Sequence, residues 1–375
     1  MRIIMGDLLT GRRILDVPFT AASWSVELNG PGTVSATVDL KDPTVRQLDM
    51  WNAAQVGKTF LAAVENDVIL EAGPIWARKW ERRDGKLTLE ARGLWSYFDH
   101  RTLLPNIGDR PVTNPETGEA EEYANTTLKN LHLGTIGKRI VQQSMTWPGG
   151  NLPIVFEDDK PGEHERNYRG VDLSIIGSML ENLTQVIDGP DIAFVPQWAP
   201  DRLGIQWLYV SGDPRLSSVT EHVIDMSVPA SPVDGLSIDE SGSKLASLAW
   251  ASGGRSGDEP LVERHFDTTL IDAGYPLLEL VDSSRATVTE PATMRGHAAA
   301  AAVNGRLPLS VWAPTLHTGG RGEPRIGDYR VGDYLVFKSK GELFTPDGRH
   351  RRRIATMSGS AGNDFIDIGL GASYG

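Results

Sequence analysis

A β-rich α+β fold is the class this sequence predicts, on three observations. Apolar and polar residues alternate with period two through the first and last thirds of the chain. Gly, Pro, Asn and Asp punctuate those runs at short, even intervals, as turns between strands require. Between the two strand-rich thirds stands an amphipathic helix followed directly by an apolar hairpin, over residues 172–212.

In chain order, Trp24, Val26 and Leu28 alternate with Ser23, Ser25, Glu27 and Asn29. After Gly30-Pro31-Gly32 the alternation resumes through Val34, Ala36, Val38 and Leu40, which makes a hairpin with one wet face. Asp42-Pro43 sets an N-cap before a proline at the first helical position, and Val45, Leu48 and Trp51 give a short helix. Short β-rich runs follow at 60–64, 68–70, 75–80 and 87–91, with Glu65-Asn66-Asp67 and Arg83-Asp84-Gly85 as turns. Their spacing predicts a barrel or a sandwich.

Residues 105–123 have no periodicity and read as an exposed loop. Residues 127–145 read as a helix interrupted by Gly134 and Gly137 and ended by Trp147-Pro148-Gly149-Gly150. Ile154-Val155-Phe156 is a strand, and the charged stretch 157–170 is irregular. Leu173, Ile176, Leu180, Leu183 and Ile187 then recur at helical spacing, until Asp188-Gly189-Pro190-Asp191 stops the helix. Ile192 and Phe194, then Leu203, Ile205, Trp207 and Tyr209, form a hairpin bent at Ala199-Pro200-Asp201. Residues 228–232 read as a crossover between domains.

Strands are expected again at 245–250, 261–266, 277–281, 309–312, 334–337, 353–357 and 365–370. One helix interrupts them, opened by Pro291, filled from Ala298 to Ala302 and closed by Asn304-Gly305. This layout predicts two related β-barrels around a mixed middle: a first β-domain at 1–104, a mixed α/β region at 105–235 and a second strand-rich region at 236–375.

Composition bounds the function. The 375 residues are 40% hydrophobic, 7% aromatic and 23% charged, an ordinary globular composition. No apolar run reaches membrane-spanning length, and residues 1–7 turn polar before a signal-peptide core can form, so synthesis in the cytosol without classical export is expected. The absence of cysteine excludes disulfides, thiolate metal sites and cysteine nucleophiles. A net charge of -12 opposes tight non-specific binding to nucleic acid, and suits a protein that lets DNA slide past.

Catalytic patterns fail when spelled out. His164-Glu165 begins a zinc-protease helix, but Tyr168 stands where the second imidazole belongs. In 134–139 the glycines are too close together for a phosphate loop, and Arg139 replaces the magnesium-binding hydroxyl. No Gly-x-Ser-x-Gly elbow occurs. Glu157-Asp158-Asp159, with Glu163 and Glu165, offers carboxylates for calcium or for sugar cleavage, yet Lys160, Arg166 and Arg169 nearby fit an ordinary ion-paired surface. The basic run Arg349-His350-Arg351-Arg352-Arg353 reads either as a contact for phosphate or an acidic partner, or as a solvated hairpin tip. No catalytic, cofactor-binding or metal-binding residue is assigned.

Three stretches carry a family resemblance. Residues 23–32 (SWSVELNGPG) resemble the opening hairpin of bacteriophage tail-tip, or baseplate, hub proteins, especially the minor tail proteins of actinobacteriophages. So do 188–196 (DGPDIAFVP) with the strand to Gly212 and Asp213-Pro214, and the ending at 331–336 (VGDYLV), 353–357 and 365–370. The resemblance implies two antiparallel β-barrels like tail-tube domains, with mixed α/β domains between them. It implies a structural, non-enzymatic protein of the virion, made in the bacterial cytoplasm and placed at the tip of a long non-contractile siphovirus tail. A homotrimeric ring would join the six-fold distal tail to the three-fold tip and gate DNA ejection. Its partners would be the distal tail ring, the tape measure protein and central-fibre or receptor-binding proteins, with no membrane anchor and no stable nucleic-acid binding. Two other readings remain open: a cell-wall-directed hydrolase, and a carbohydrate-binding β-protein that recognises the host surface.

Overall fold

The computed structural model describes residues 1–186, 188–218, 221–256, 259–285, 291–319 and 325–371. Ile187, expected on the apolar face of the central helix, lies outside them. The chain is β-rich and mostly antiparallel, and it divides into two compact units. The first is Met1–Asp234 with Thr315–His350 and Ile354–Ile368; the second is Gly235–Pro314 with Arg351–Arg353 and Gly369–Gly375.

The first unit opens with β1 (Arg2–Asp7), β2 (Arg13–Asp16), β3 (Ala21–Glu27) and β4 (Thr33–Asp39). Two single-turn helices follow, α1 (Pro43–Arg46) and α2 (Met50–Ala53), and then β5 (Thr59–Glu65), β6 (Val68–Glu81) and β7 (Lys86–Arg92). Asp42 caps α1 by accepting from the Thr44 backbone N–H at 2.8 Å. Asp49, left-handed at φ 43°, splits the single helix expected here into two. The strands pair antiparallel in the order β3-β4-β7-β6-β5-β1-β2. The expected 23–40 hairpin is β3–β4, with Trp24 opposite Val34.

The runs expected at 68–70 and 75–80 are one strand. β6 pairs with β5 through Pro74 and with β7 from Ile75. The change of partner falls between Pro74 and Ile75, next to Gly73, where a Cβ would meet the Arg92 carbonyl oxygen at 1.9 Å.

The middle of the first unit carries β8 (Thr126–Leu131), α3 (Leu133–Ser144), β9 (Ile154–Phe156), β10 (His164–Tyr168), α4 (Ile176–Thr184), β11 (Ile192–Trp198) and β12 (Ile205–Ser211). Two expectations need correction here. Residues 126–131 are a strand rather than helix, because β10, expected as irregular chain, pairs with them. The central helix begins at Ile176: Leu173 is left-handed at φ 44° and exposed. The β11–β12 hairpin forms as expected, in full register from Ile192–Ser211 to Trp198–Ile205, and β9 joins β12 in parallel. Leu203, expected on the hairpin's apolar face, stays outside the strand and is exposed.

A large hydrophobic core lies within the first unit. Phe60, Trp95, Phe98, Ile136, Ile140, Leu180, Phe194, Trp207 and Tyr209 all belong to it. β5 is buried on both faces, which explains its unbroken apolar run. The unit is completed by β13 (His222–Asp225) and by strands from the C-terminal third.

That third holds β14 (Val233–Ser241), β15 (Leu248–Ser256), β16 (Glu259–Phe266), α5 (Thr269–Asp272), β17 (Glu279–Arg285), α6 (Pro291–Asn304), β18 (Leu309–His317), β19 (Tyr334–Ser339), β20 (Gly348–Ser360) and β21 (Phe365–Gly371). In the first unit β19 pairs with β13 and β20, and β20 pairs with β3. No strand pair among the described residues of this unit closes the sheet into a barrel.

In the second unit β16-β15-β17 form a three-stranded sheet. Ala251 and Leu261 pack with Met294 and Ala298 of α6 in a small core. The alanines read from the sequence serve this close approach of helix to sheet.

Candidate functional site

A groove of about 690 Å³ lies wholly within the first unit. Seven separate pieces of chain wall it: β3 with the turn after it, the β5–β6 turn and the first half of β6, β11, Val210 of β12, residues 216–218, residues 327–333, and Met357 of β20.

The β5–β6 turn is a two-residue Asn66-Asp67 loop, both residues left-handed at φ 47° and 65°. This conformation suits the twist of a tight hairpin, and Asn and Asp tolerate it best after Gly. The turn is held across the groove. The Trp198 indole donates to the Asp67 carbonyl oxygen at 2.8 Å, and Arg202 pairs with the Asp67 carboxylate.

Deeper in, the Trp207 indole donates to the Ala72 carbonyl at 3.0 Å, while the Ala72 N–H donates to Glu71 Oε1 at 2.9 Å. Both outward backbone groups of Ala72 are therefore satisfied by side chains rather than by a strand.

β11 is the outer strand of its sheet, and its hydrogen-bonding phase follows from its ends. Ala199 N–H donates to Gly204 and Gly212 N–H donates to Asp191. Odd-numbered residues thus bond to β12, whereas Phe194, Pro196 and Trp198 turn their backbone groups outward. Pro196, which lacks an N–H, fits this phase. The outward N–H of Ile192 is capped by Asn29 Oδ1 at 2.8 Å, from the turn after β3. Asn29 Nδ2 also donates to buried Asp191 at 3.2 Å.

The electrostatics of the groove are acidic. Among the described lining residues Glu27, Asp67, Asp328 and Asp333 carry negative charge against the single cation Arg330. Burial pushes the Glu71 carboxyl up to about 8, against the backbone N–H groups of Ala72 and Gly32, which favour its anion. Asp333 is buried as well, accepting from the Ser218 and Arg330 N–H groups. Burial and nearby Asp328 raise the Tyr329 phenol above its ordinary value, and its hydroxyl has no hydrogen-bond partner among the described residues. The groove offers apolar walls, the outward backbone groups of β11 and negative charge.

The sequence candidates lie elsewhere. Glu157 accepts from Ser211 N–H at 3.1 Å and pairs with Lys160, while Asp159 pairs with Lys138 and Arg139. Of the cations expected beside these carboxylates only Lys160 pairs with one of the two, and Lys138 and Arg139 of α3 engage the other. His164 and Glu165 stand on strand β10, so no helical face brings them together. Residues 134–139 lie in α3, where Gly134 and Gly137 admit Ser211 and Tyr209: a Cβ would meet their side-chain oxygens at 2.1 and 2.5 Å. The basic run Arg349–Arg353 lies on the strand β20, not at a hairpin tip.

The tip itself was missed. Between β19 and β20, Leu343 and Phe344 are 106% and 73% exposed; among the described large apolar residues only Trp51, at 75%, ranks between them. Their signal in the sequence was two adjacent apolar residues among turn formers, Gly341-Glu342 before and Pro346-Asp347-Gly348 after. Among the tryptophans, Trp24, Trp95, Trp207 and Trp312 are buried. Trp51 is exposed, with the Arg78 guanidinium 4.4 Å above its ring.

No protein-family model matches the chain, and no curated protein matches its sequence significantly. Solved structures do match along its whole length. The 43 kDa tail protein of prophage MuSo2 from Shewanella oneidensis is 10% identical with a TM-score of 0.56, covering 99% of this chain and 98% of that one. The tail protein from Neisseria meningitidis MC58 is 11% identical with a TM-score of 0.57, covering 99% and 96%. The prophage tail protein gp18 from Listeria monocytogenes EGD-e is 12% identical with a TM-score of 0.51, covering 100% and 95%. The chain has the fold of these tail proteins.

Proposed function

We propose that the chain is a structural, non-enzymatic hub at the tip of a long non-contractile phage tail. The observation that carries this reading is the end-to-end likeness of fold to three phage or prophage tail proteins, with at least 95% of each partner covered. The sequence resemblance to actinobacteriophage minor tail proteins adds the place within the tail.

In this reading three copies form a ring, with residues 1–104 and 236–375 supplying tube-like β-domains and 105–235 the mixed region between them. The ring joins the six-fold distal tail above to the three-fold tip below. It meets the distal tail protein, the tape measure protein and the central-fibre or receptor-binding proteins. Its trimer carries three times -12, or -36, and like charge keeps passing DNA from adhering.

The test is the mass of the native protein by light scattering, with negative-stain images of the same sample and antibody labelling of intact virions. A three-fold ring and label confined to the tail tip are expected. Label elsewhere on the virion, or turnover of purified peptidoglycan that survives further purification, would overturn the reading.

A further inference from the structure

We propose that the Leu343–Phe344 tip of one copy seats in the groove of a second copy, head to tail. The inference rests on the assembly reading above and names the contact that builds it.

The base of the tip is braced by hydrogen bonds. Ser339 Oγ donates to the Pro346 carbonyl at 2.6 Å, the His350 ring bonds to both at 2.8 and 2.9 Å, and Gly341 N–H donates to Asp347 at 2.6 Å. Thr345, next to the exposed pair, is buried. The braced base limits the backbone ordering that docking would require, leaving the cost of fixing the two exposed side chains.

Among the described residues the groove is unfilled, and its size suits this occupant. Its 690 Å³ lies within the roughly 300–1,000 Å³ that houses a drug-sized ligand, so it admits a leucine and a phenylalanine side chain. Val68, Leu70, Val195 and Val331 give it apolar walls. Charge agrees: the arms beside the tip carry Lys338, Lys340 and Arg349 against Glu342 and Asp347, whereas the groove is acidic.

A chain cannot satisfy itself this way. Asp333 lines the groove immediately before β19, and the tip follows its far end. Six strand residues at about 3.3 Å each hold tip and groove roughly 20 Å apart on one hairpin. Unlike patches at opposite ends of one rigid element make a heterologous contact, which closes into a ring or runs on as a filament.

The natural chain has no cysteine, so single-cysteine variants report the contact directly. Phe344→Cys mixed with Val331→Cys under mild oxidation should give a disulfide-linked dimer of the two variants. Phe344→Cys with the exposed control Trp80→Cys should not. Separately, Leu343→Ser with Phe344→Ser should weaken self-association by roughly a hundredfold in sedimentation, with an unchanged melting curve. Absence of the mixed disulfide above the control at any protein concentration overturns the inference. So does undiminished association of the double-serine variant, an outcome that leaves the hub reading standing because assembly then persists through another surface. Tip label on virions tests that reading independently.

Discussion

The indole of Trp207, at the centre of β12, donates to the carbonyl of Ala72 on β6, and both residues are fully buried. They lie 135 residues apart. The bond closes the open edge of β6 with a side chain, where a sheet would ordinarily use another strand, and the same ring meets Phe60 edge-on at 5.8 Å.

Trp207→Phe keeps an aromatic ring and removes the donor. The orphaned Ala72 carbonyl should then cost about 1–3 kcal/mol, beyond any loss of packing. Urea denaturation should show a lower midpoint with an unchanged slope. An unchanged midpoint would mean that the carbonyl finds water and the bond stabilises nothing.

Glu71 sets a pH dependence of known sign. Its folded value is about 8 against an ordinary 4.5, so the folded state holds the proton more tightly. The stability this group contributes is complete below 4.5 and is lost as pH rises through 8. The loss amounts to about 4–5 kcal/mol, at 1.36 kcal/mol for each pH unit. Glu71→Gln keeps the acceptor for Ala72 N–H and does not titrate. Relative to wild type it should therefore gain stability between pH 5 and pH 9, by roughly that amount. Parallel stability profiles for the two proteins across the range would refute a buried neutral carboxyl.

The elements that were legible are those whose signal is local. The 23–40 hairpin has strict alternation around Gly30-Pro31-Gly32, and the β11–β12 hairpin has it on both arms. Residues 126–131 were misread because a short polar strand paired only with β10 has no apolar face to mark its period. β6 was read as two strands because Gly73-Pro74 ordinarily ends one; here it marks a change of partner.

The groove was illegible for a different reason. Asn29 meets Asp191 across 162 residues, and Ser218 meets Asp333 across 115. No motif spacing records such a meeting. Glu71 lay unmarked between Leu70 and Ala72, since only the fold removes it from water.

Asn29 joins two requirements at one position. Its φ of 60° is left-handed, and its side chain caps Ile192 N–H. Asn29→Gly keeps the backbone conformation and loses the cap, at about 1–3 kcal/mol for an orphaned buried donor. Asn29→Ala adds roughly 1–2 kcal/mol for the strained backbone. Thermal melts should rank wild type above Gly and Gly above Ala. Equal melting of Gly and Ala would assign the whole effect to the cap.

In the second unit the corresponding question concerns Asp267, which is buried and accepts from Arg306 Nε at 2.9 Å and from Thr269 N–H at 2.9 Å. The Arg306 guanidinium first, and then the Thr269 hydroxyl and N–H, hold its carboxyl well below the usual 3.8. A depressed value stabilises the fold above 3.8 and loses that contribution as pH falls below it. Arg306→Met keeps much of the stem's apolar length and removes the charge, so at neutral pH it should melt below wild type. Because the lost interaction needs an ionised Asp267, the gap should stay constant from pH 7 to pH 5 and narrow only on the acid side of 3.8. A gap that persists undiminished in acid would show that Arg306 acts through the packing of its stem and not through its charge.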